Sequence, residues 1–180
     1  MKKLITVIAI MLLTLPTTFA QVNSQANQNA VLSMNNAIAI TFTSTGNNVG
    51  DVILLPFLTT NDFLNGVTSS AQTLKVQSNK QFNVSIGSTT QYFAYTGTAY
   101  PTPNMPIASV LSFLISNNNT GGSLPYSSYA SIPYSTATTI VNLGQNGGNS
   151  TFDVTYKATP GYAYPSGLYS AFVVYTATQL

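Results

Sequence analysis

Three carboxylates, Asp51, Asp62 and Asp153, and three amines, Lys75, Lys80 and Lys157, are the only formally charged side chains after residue 20. The whole chain contains no His, Glu, Arg, Trp or Cys. That removes the commonest general base, the thiolate nucleophile, the guanidinium clamp, and the imidazole and thiolate ligands of most zinc sites. Two aspartates brought together can share acid and base duties, but nothing in the spacing of these three pairs any two of them. The chain therefore reads as a non-enzyme, with no catalytic, cofactor-binding or metal residue assigned and no cofactor expected. Calcium needs only oxygen ligands, and Asn146 to Asp153 supplies amides, carbonyls and one carboxylate. Because the D-x-[DN]-x-[DN]-G pattern is missing, a glycine-rich hairpin turn is the reading preferred there.

Tyrosine is the other residue type with chemistry to offer, as a large apolar face ending in a hydroxyl. Tyrosines gather beside prolines at Tyr100-Pro101, Pro125-Tyr126, Pro133-Tyr134 and Tyr162 to Pro165. If Tyr126, Tyr129 and Tyr134 are exposed together, they form a loop surface able to stack on a glycan or hold a host surface, and the protein is a monomeric secreted binding module. If instead they turn inward, they pin their loops over the ends of the fold.

The elements that must position these residues are strands. Phe152, Val154, Tyr156 and Ala158 alternate with Thr151, Asp153, Thr155 and Lys157, the period of a half-solvated antiparallel strand. The same spacing predicts strands over 38–42, 52–57, 72–77, 82–86, 92–96, 107–115, 136–143 and 168–178. Asn- and Gly-rich turn formers separate them, among them Asn65-Gly66, Asn117 to Gly122 and Pro165-Ser166-Gly167. About nine short strands so punctuated predict an all-β chain, a single antiparallel β-sandwich of immunoglobulin-like, Greek-key type. Apolar residues on both faces of 52–55 and 171–175 predict central strands. Tyr100 to Pro106 and Gly121 to Tyr134 are rich in proline and glycine and are expected to be long surface connections.

Residues 1–20 have the three parts of a secretory signal: Lys2-Lys3, an apolar run from Leu4 to Leu15, and small residues ending at Ala20. A secreted protein, extracellular or at the cell surface, is expected, with residues 21–36 a flexible or strand-donating segment and 37–180 the sandwich domain. The apolar run is shorter than the roughly 20 residues of a spanning helix, so no membrane span is expected. Cleavage would leave the three lysines balanced by the three aspartates. Such a surface has no basic stripe for nucleic acid and lacks the net charge that keeps proteins apart in solution. Association is the expected consequence.

The two ends of the domain are where association would act. Ile38, Ile40 and Phe42 alternate in the first strand, and the last is expected to reach Leu180 with no tail. In it Leu168, Phe172 and Val174 face one way and Tyr169, Ala171, Val173 and Tyr175 the other. Ala171 to Leu180 carries neither charge nor proline, the devices by which edge strands are defended, so it could join a neighbouring sheet through its main chain.

Asn65-Gly66-Val67, Leu74 to Lys80 with Phe82 to Ile86, and Pro165 to Tyr169 leading into Val173 to Thr178 together resemble secreted bacterial pilin-like and adhesin-like β-sandwich proteins. The resemblance covers about half of the chain beyond residue 20. Gly167 before an alternating strand is similar to subunits of chaperone–usher fimbriae, in which such a strand is recognised by an assembly chaperone and subunits join by strand donation. Gln179 stands where that family has tyrosine, and its cysteine pair is missing. The resemblance implies a structural or adhesive subunit of a fimbria-like or other extracellular assembly. Its partners would be further copies or other surface-assembly subunits, and a secretion or assembly chaperone. The residues implied in strand-mediated assembly are Ile38, Ile40, Phe42, Gly167, Leu168, Phe172 and Val174.

Overall fold

Period-two alternation becomes paired strand over most of the chain. The computed structural model describes residues 24–180; the expected signal at 1–20 lies outside the described residues. The chain divides into two units, Met1–Met34 and Asn35–Leu180. In the first, residues 24–34 form neither helix nor strand and are exposed. The second contains β1 (Ile38–Phe42), α1 (Thr60–Asn65), β2 (Val67–Thr68), β3 (Gln72–Ser78), β4 (Phe82–Ser88), β5 (Ala94–Thr96) and α2 (Ile107–Val110). These are followed by β6 (Leu111–Ser116), β7 (Ala130–Ser131), β8 (Thr138–Gly144), β9 (Gly147–Ala158), β10 (Leu168–Ser170) and β11 (Val173–Gln179).

The protein is an all-β sandwich. Its larger sheet has the order β1-β3-β9-β6-β7, with β2 also on β9, and its smaller sheet the order β11-β4-β8. All strand pairings are antiparallel. A third, two-stranded piece pairs β5 with β10. Residues 79–81 carry the chain from β3 in one layer to β4 in the other, and residues 145–146 carry it back from β8 to β9. Because β3 pairs β9 while β4 pairs β8, these four strands behave as one long hairpin folded over the core. That crossing between layers is the Greek-key habit of sandwiches. The glycines around Asn146 thus make a corner between sheets in place of the expected hairpin turn.

Inward residues from both layers fill the space between them. Leu74, Val76, Phe113, Phe152 and Val154 from the larger sheet meet Phe82, Val84, Ile86, Ile140 and Val141 from the smaller one, all nearly or fully buried. Burying each such side chain contributes about 1.5–3 kcal/mol, so this interdigitated layer dominates the stability of the fold.

The sandwich departs from the sequence expectation in several places. The 168–178 run divides into β10 and β11, which lie in different sheets, and β11 is an edge strand where apolar residues on both faces of 171–175 predict a central one. Residues 52–57 alternate in burial, with Ile53, Leu55 and Phe57 on the core, yet they belong to no sheet and leave Val52 and Leu54 exposed where a central strand was expected. Within 107–115 the first four residues form α2, whose N-H at Leu111 returns to the Ile107 carbonyl. A single turn places Ile107 and Val110 on one buried side, as spacing of three does on a helix. The 121–134 segment is anchored: Ile132 is fully buried, and Leu124 and Tyr126 pack on the core.

Asn65-Gly66 proves to be a helix stop. Thr59 and Asp62 form a capping box at the start of α1, and Gly66 ends it with φ of 80°. A Cβ on Gly66 would lie 2.5 Å from the Ala158 carbonyl oxygen, so close approach to β9 requires glycine there.

Candidate functional site

Two of the three carboxylates are already occupied by the fold, and the third, Asp51, is exposed. Asp62 accepts from the backbone N-H groups of Thr59 (2.7 Å) and Leu58 (2.9 Å). Those bonds, Thr59 first, hold its carboxyl below the usual range. Asp153, on the outward side of β9, accepts from the Thr73 hydroxyl at 2.5 Å and the Asn117 amide at 2.6 Å. Each bond ties neighbouring structure together. Among the described residues no three His, Cys, Asp or Glu side chains converge to hold a metal.

The three loop tyrosines face three environments. Tyr126 turns inward: its ring stands edge-on to Phe113 at 5.6 Å, and its hydroxyl bonds that of Thr138 at 2.8 Å. Tyr129 is half-exposed beside Lys157 of the larger sheet, whose ammonium lies 6.0 Å from its ring. Tyr134, also half-exposed, bridges Ser88 of the smaller sheet. The structure does not bring them together as one platform.

The strand residues singled out by the sequence divide by face. Ile38, Ile40 and Phe42 point inward from β1 and pack on the core. Gly167 precedes β10, and a Cβ there would come within 2.3 Å of the Tyr95 ring, so it serves close packing of the β5–β10 piece. Leu168, Phe172 and Val174 point outward and are 63%, 77% and 46% exposed. Their faces follow the alternation of the sequence, and the outward set has no cover among the described residues.

Backbone polarity shows which edge of β11 is open. Thr89 donates to the Phe172 carbonyl and Leu180 donates to the Gln81 carbonyl, so even-numbered residues direct their main-chain groups at β4. In an antiparallel ladder the odd-numbered ones must direct theirs away. Val173, Tyr175, Ala177 and Gln179 therefore present N-H and C=O along an edge that no other described strand pairs. On the smaller sheet this edge continues into an outer face made of Asn83, Ser85, Gly87, Val174, Thr176 and Thr178, and none of β4, β8 or β11 carries a charged residue.

β1 lies beside this edge in the other layer. The Phe42 ring meets that of Tyr175 edge-on at 6.0 Å. At the other end of β11 the Gln179 amide donates to the Ala37 carbonyl at 2.7 Å. The edge of β1 itself is shortened, because Phe42 gives its N-H to Asn47 and its C=O to Gly46 in the following turn.

Between the layers the Tyr156 and Tyr175 hydroxyls bond each other. Burial pushes Tyr156 up to about 12, and burial followed by the neighbouring Tyr156 raises Tyr175 well above its ordinary value. This link across the layers fixes β11 against β9. Sequence reasoning missed it: Tyr156 and Tyr175 were each assigned a face, but nothing in the pattern matches residues of different sheets.

Among the described residues no helix is long and apolar enough to cross a membrane. No protein-family model matches this chain, and no curated protein matches its sequence.

Proposed function

We propose that this is a non-enzymatic, secreted cell-surface protein, a structural or adhesive subunit of a fimbria-like or other extracellular assembly. The observation that carries this reading is the open β11 edge continuous with an uncharged outer face. Natural sheets protect such edges with lysine, proline or bulges because unpaired N-H and C=O groups template further pairing, and β11 has none of these. The exposed residues 24–34, with Val31, Leu32 and Met34 turned to solvent, offer a second association element. A secretory leader at 1–20 would deliver the chain to the place where such an assembly is built.

The test is mass and shape against concentration, by light scattering with negative-stain microscopy, on the chain expressed from its full reading frame. Self-association that grows with concentration is expected, and Phe172→Lys with Val174→Lys should reduce it. Both side chains are exposed, so the double variant should stay folded. Monomers at every concentration would overturn the reading.

A further inference from the structure

We propose that two copies of this chain pair through β11 across a two-fold axis at Thr176, joining their smaller sheets into one continuous sheet. The inference rests on the reading of β11 as an assembly edge and names its occupant. A strand can pair with itself antiparallel only if its free main-chain groups meet in matching positions. On β11 those groups belong to Val173, Tyr175, Ala177 and Gln179, as fixed by the bonds at Phe172 and Leu180. With the axis at Thr176, Val173 meets Gln179 of the second copy and Tyr175 meets its Ala177, so all four residues exchange hydrogen bonds. Moving the axis to Tyr175 or Ala177 leaves one end of the set without a partner.

The outer side chains fit the same register. Thr176 meets Thr176, Val174 meets Thr178, and Phe172 meets Leu180 of the second copy. Phe172 is 77% exposed and Leu180 55% exposed, so the pairing covers apolar surface at both ends of the ladder. Opposed threonines stabilise cross-strand pairs, whereas like charges directly opposite are destabilising. With no charged side chain from Ala171 to Leu180, side-chain repulsion across the axis does not arise. The contact is isologous and closed, each copy offering the same patch to the other.

Three variants on the full chain test this by mass in solution. The unaltered protein should have twice the monomer mass. Thr176→Lys places two ammonium groups against each other at the axis and should halve that mass without changing the circular dichroism spectrum, since the side chain is exposed. Thr155→Lys, on the outer face of the larger sheet, should leave the dimer intact. Thr176→Cys introduces the chain's only thiol, and residues opposite each other at a non-hydrogen-bonded position lie about 4.5 Å apart between Cα atoms. Mild oxidation should therefore lock the dimer by a disulfide. A dimer that persists in Thr176→Lys, or that Thr176→Cys fails to lock, overturns this register. Monomers under all conditions overturn both the pairing and the assembly reading. Open-ended oligomers that vanish when residues 24–34 are deleted overturn the two-fold pairing alone, since that segment would then occupy the edge.

Discussion

On the outward side of the larger sheet, Lys75, Asp153 and Lys157 stand among Thr73, Thr151 and Thr155; on the outward side of the smaller sheet, hydroxyls, an amide and Val174 stand with no charge. Both faces rest on the same core, to which both sheets contribute mostly apolar inward residues. Core packing therefore does not decide what a sandwich presents to its surroundings. Half of this protein's formal charges beyond residue 20 are committed to one layer. The other layer presents an uncharged face ending in an open edge, and the proposed association surface lies there.

The largest expected effect is one that the two faces share. Phe152→Ala removes a fully buried ring and should cost about 3–5 kcal/mol, read as a lower midpoint in denaturant with both sheets lost together. Separate transitions for the two sheets would show that the core is not common to them. Next comes the link between layers. Tyr175→Phe leaves the buried Tyr156 hydroxyl without its partner, a loss of about 1–3 kcal/mol.

The same pair gives the protein an alkaline limit. Tyr156 titrates near 10 when unfolded and is pushed up to about 12 by burial, so between these values the unfolded chain releases a proton that the folded chain keeps. Its contribution is fully present below pH 10 and falls as pH rises towards 12. Melting temperatures measured across that range should decline, and the double variant Tyr156→Phe with Tyr175→Phe should decline less steeply.

The smallest effect on stability separates the faces most cleanly. At concentrations where the protein is monomeric, Thr176→Lys and Thr155→Lys should each change unfolding free energy by no more than about 0.5 kcal/mol, as surface substitutions do, while only the former alters self-association at higher concentration. Equal effects on association would abolish the distinction drawn between the sheets.

The sequence made the alternation of strands legible because side-chain period is a local property. β9 was read from Phe152, Val154, Tyr156 and Ala158, and the outward set Leu168, Phe172 and Val174 was assigned its face correctly. Pairing is not local, and there the reading failed. Residues 52–57 alternate as a strand does, yet alternation reports which side meets the core and says nothing of whether a neighbour supplies hydrogen bonds. The long connection at 121–134 hid Ile132 because proline, glycine and tyrosine around it outweighed one apolar residue. The open edge at Val173, Tyr175, Ala177 and Gln179 was suggested by missing charges but located only by the direction of the bonds at Thr89 and Leu180.

Amide hydrogen exchange along β11, followed residue by residue from low to high protein concentration, tests the association surface most directly. The N-H groups of Val174, Thr176 and Thr178, held by β4, should be protected throughout. Those of Val173, Tyr175, Ala177 and Gln179 should become protected only as concentration rises. If these four exchange at the same rate at every concentration, β11 is not the edge through which this protein associates.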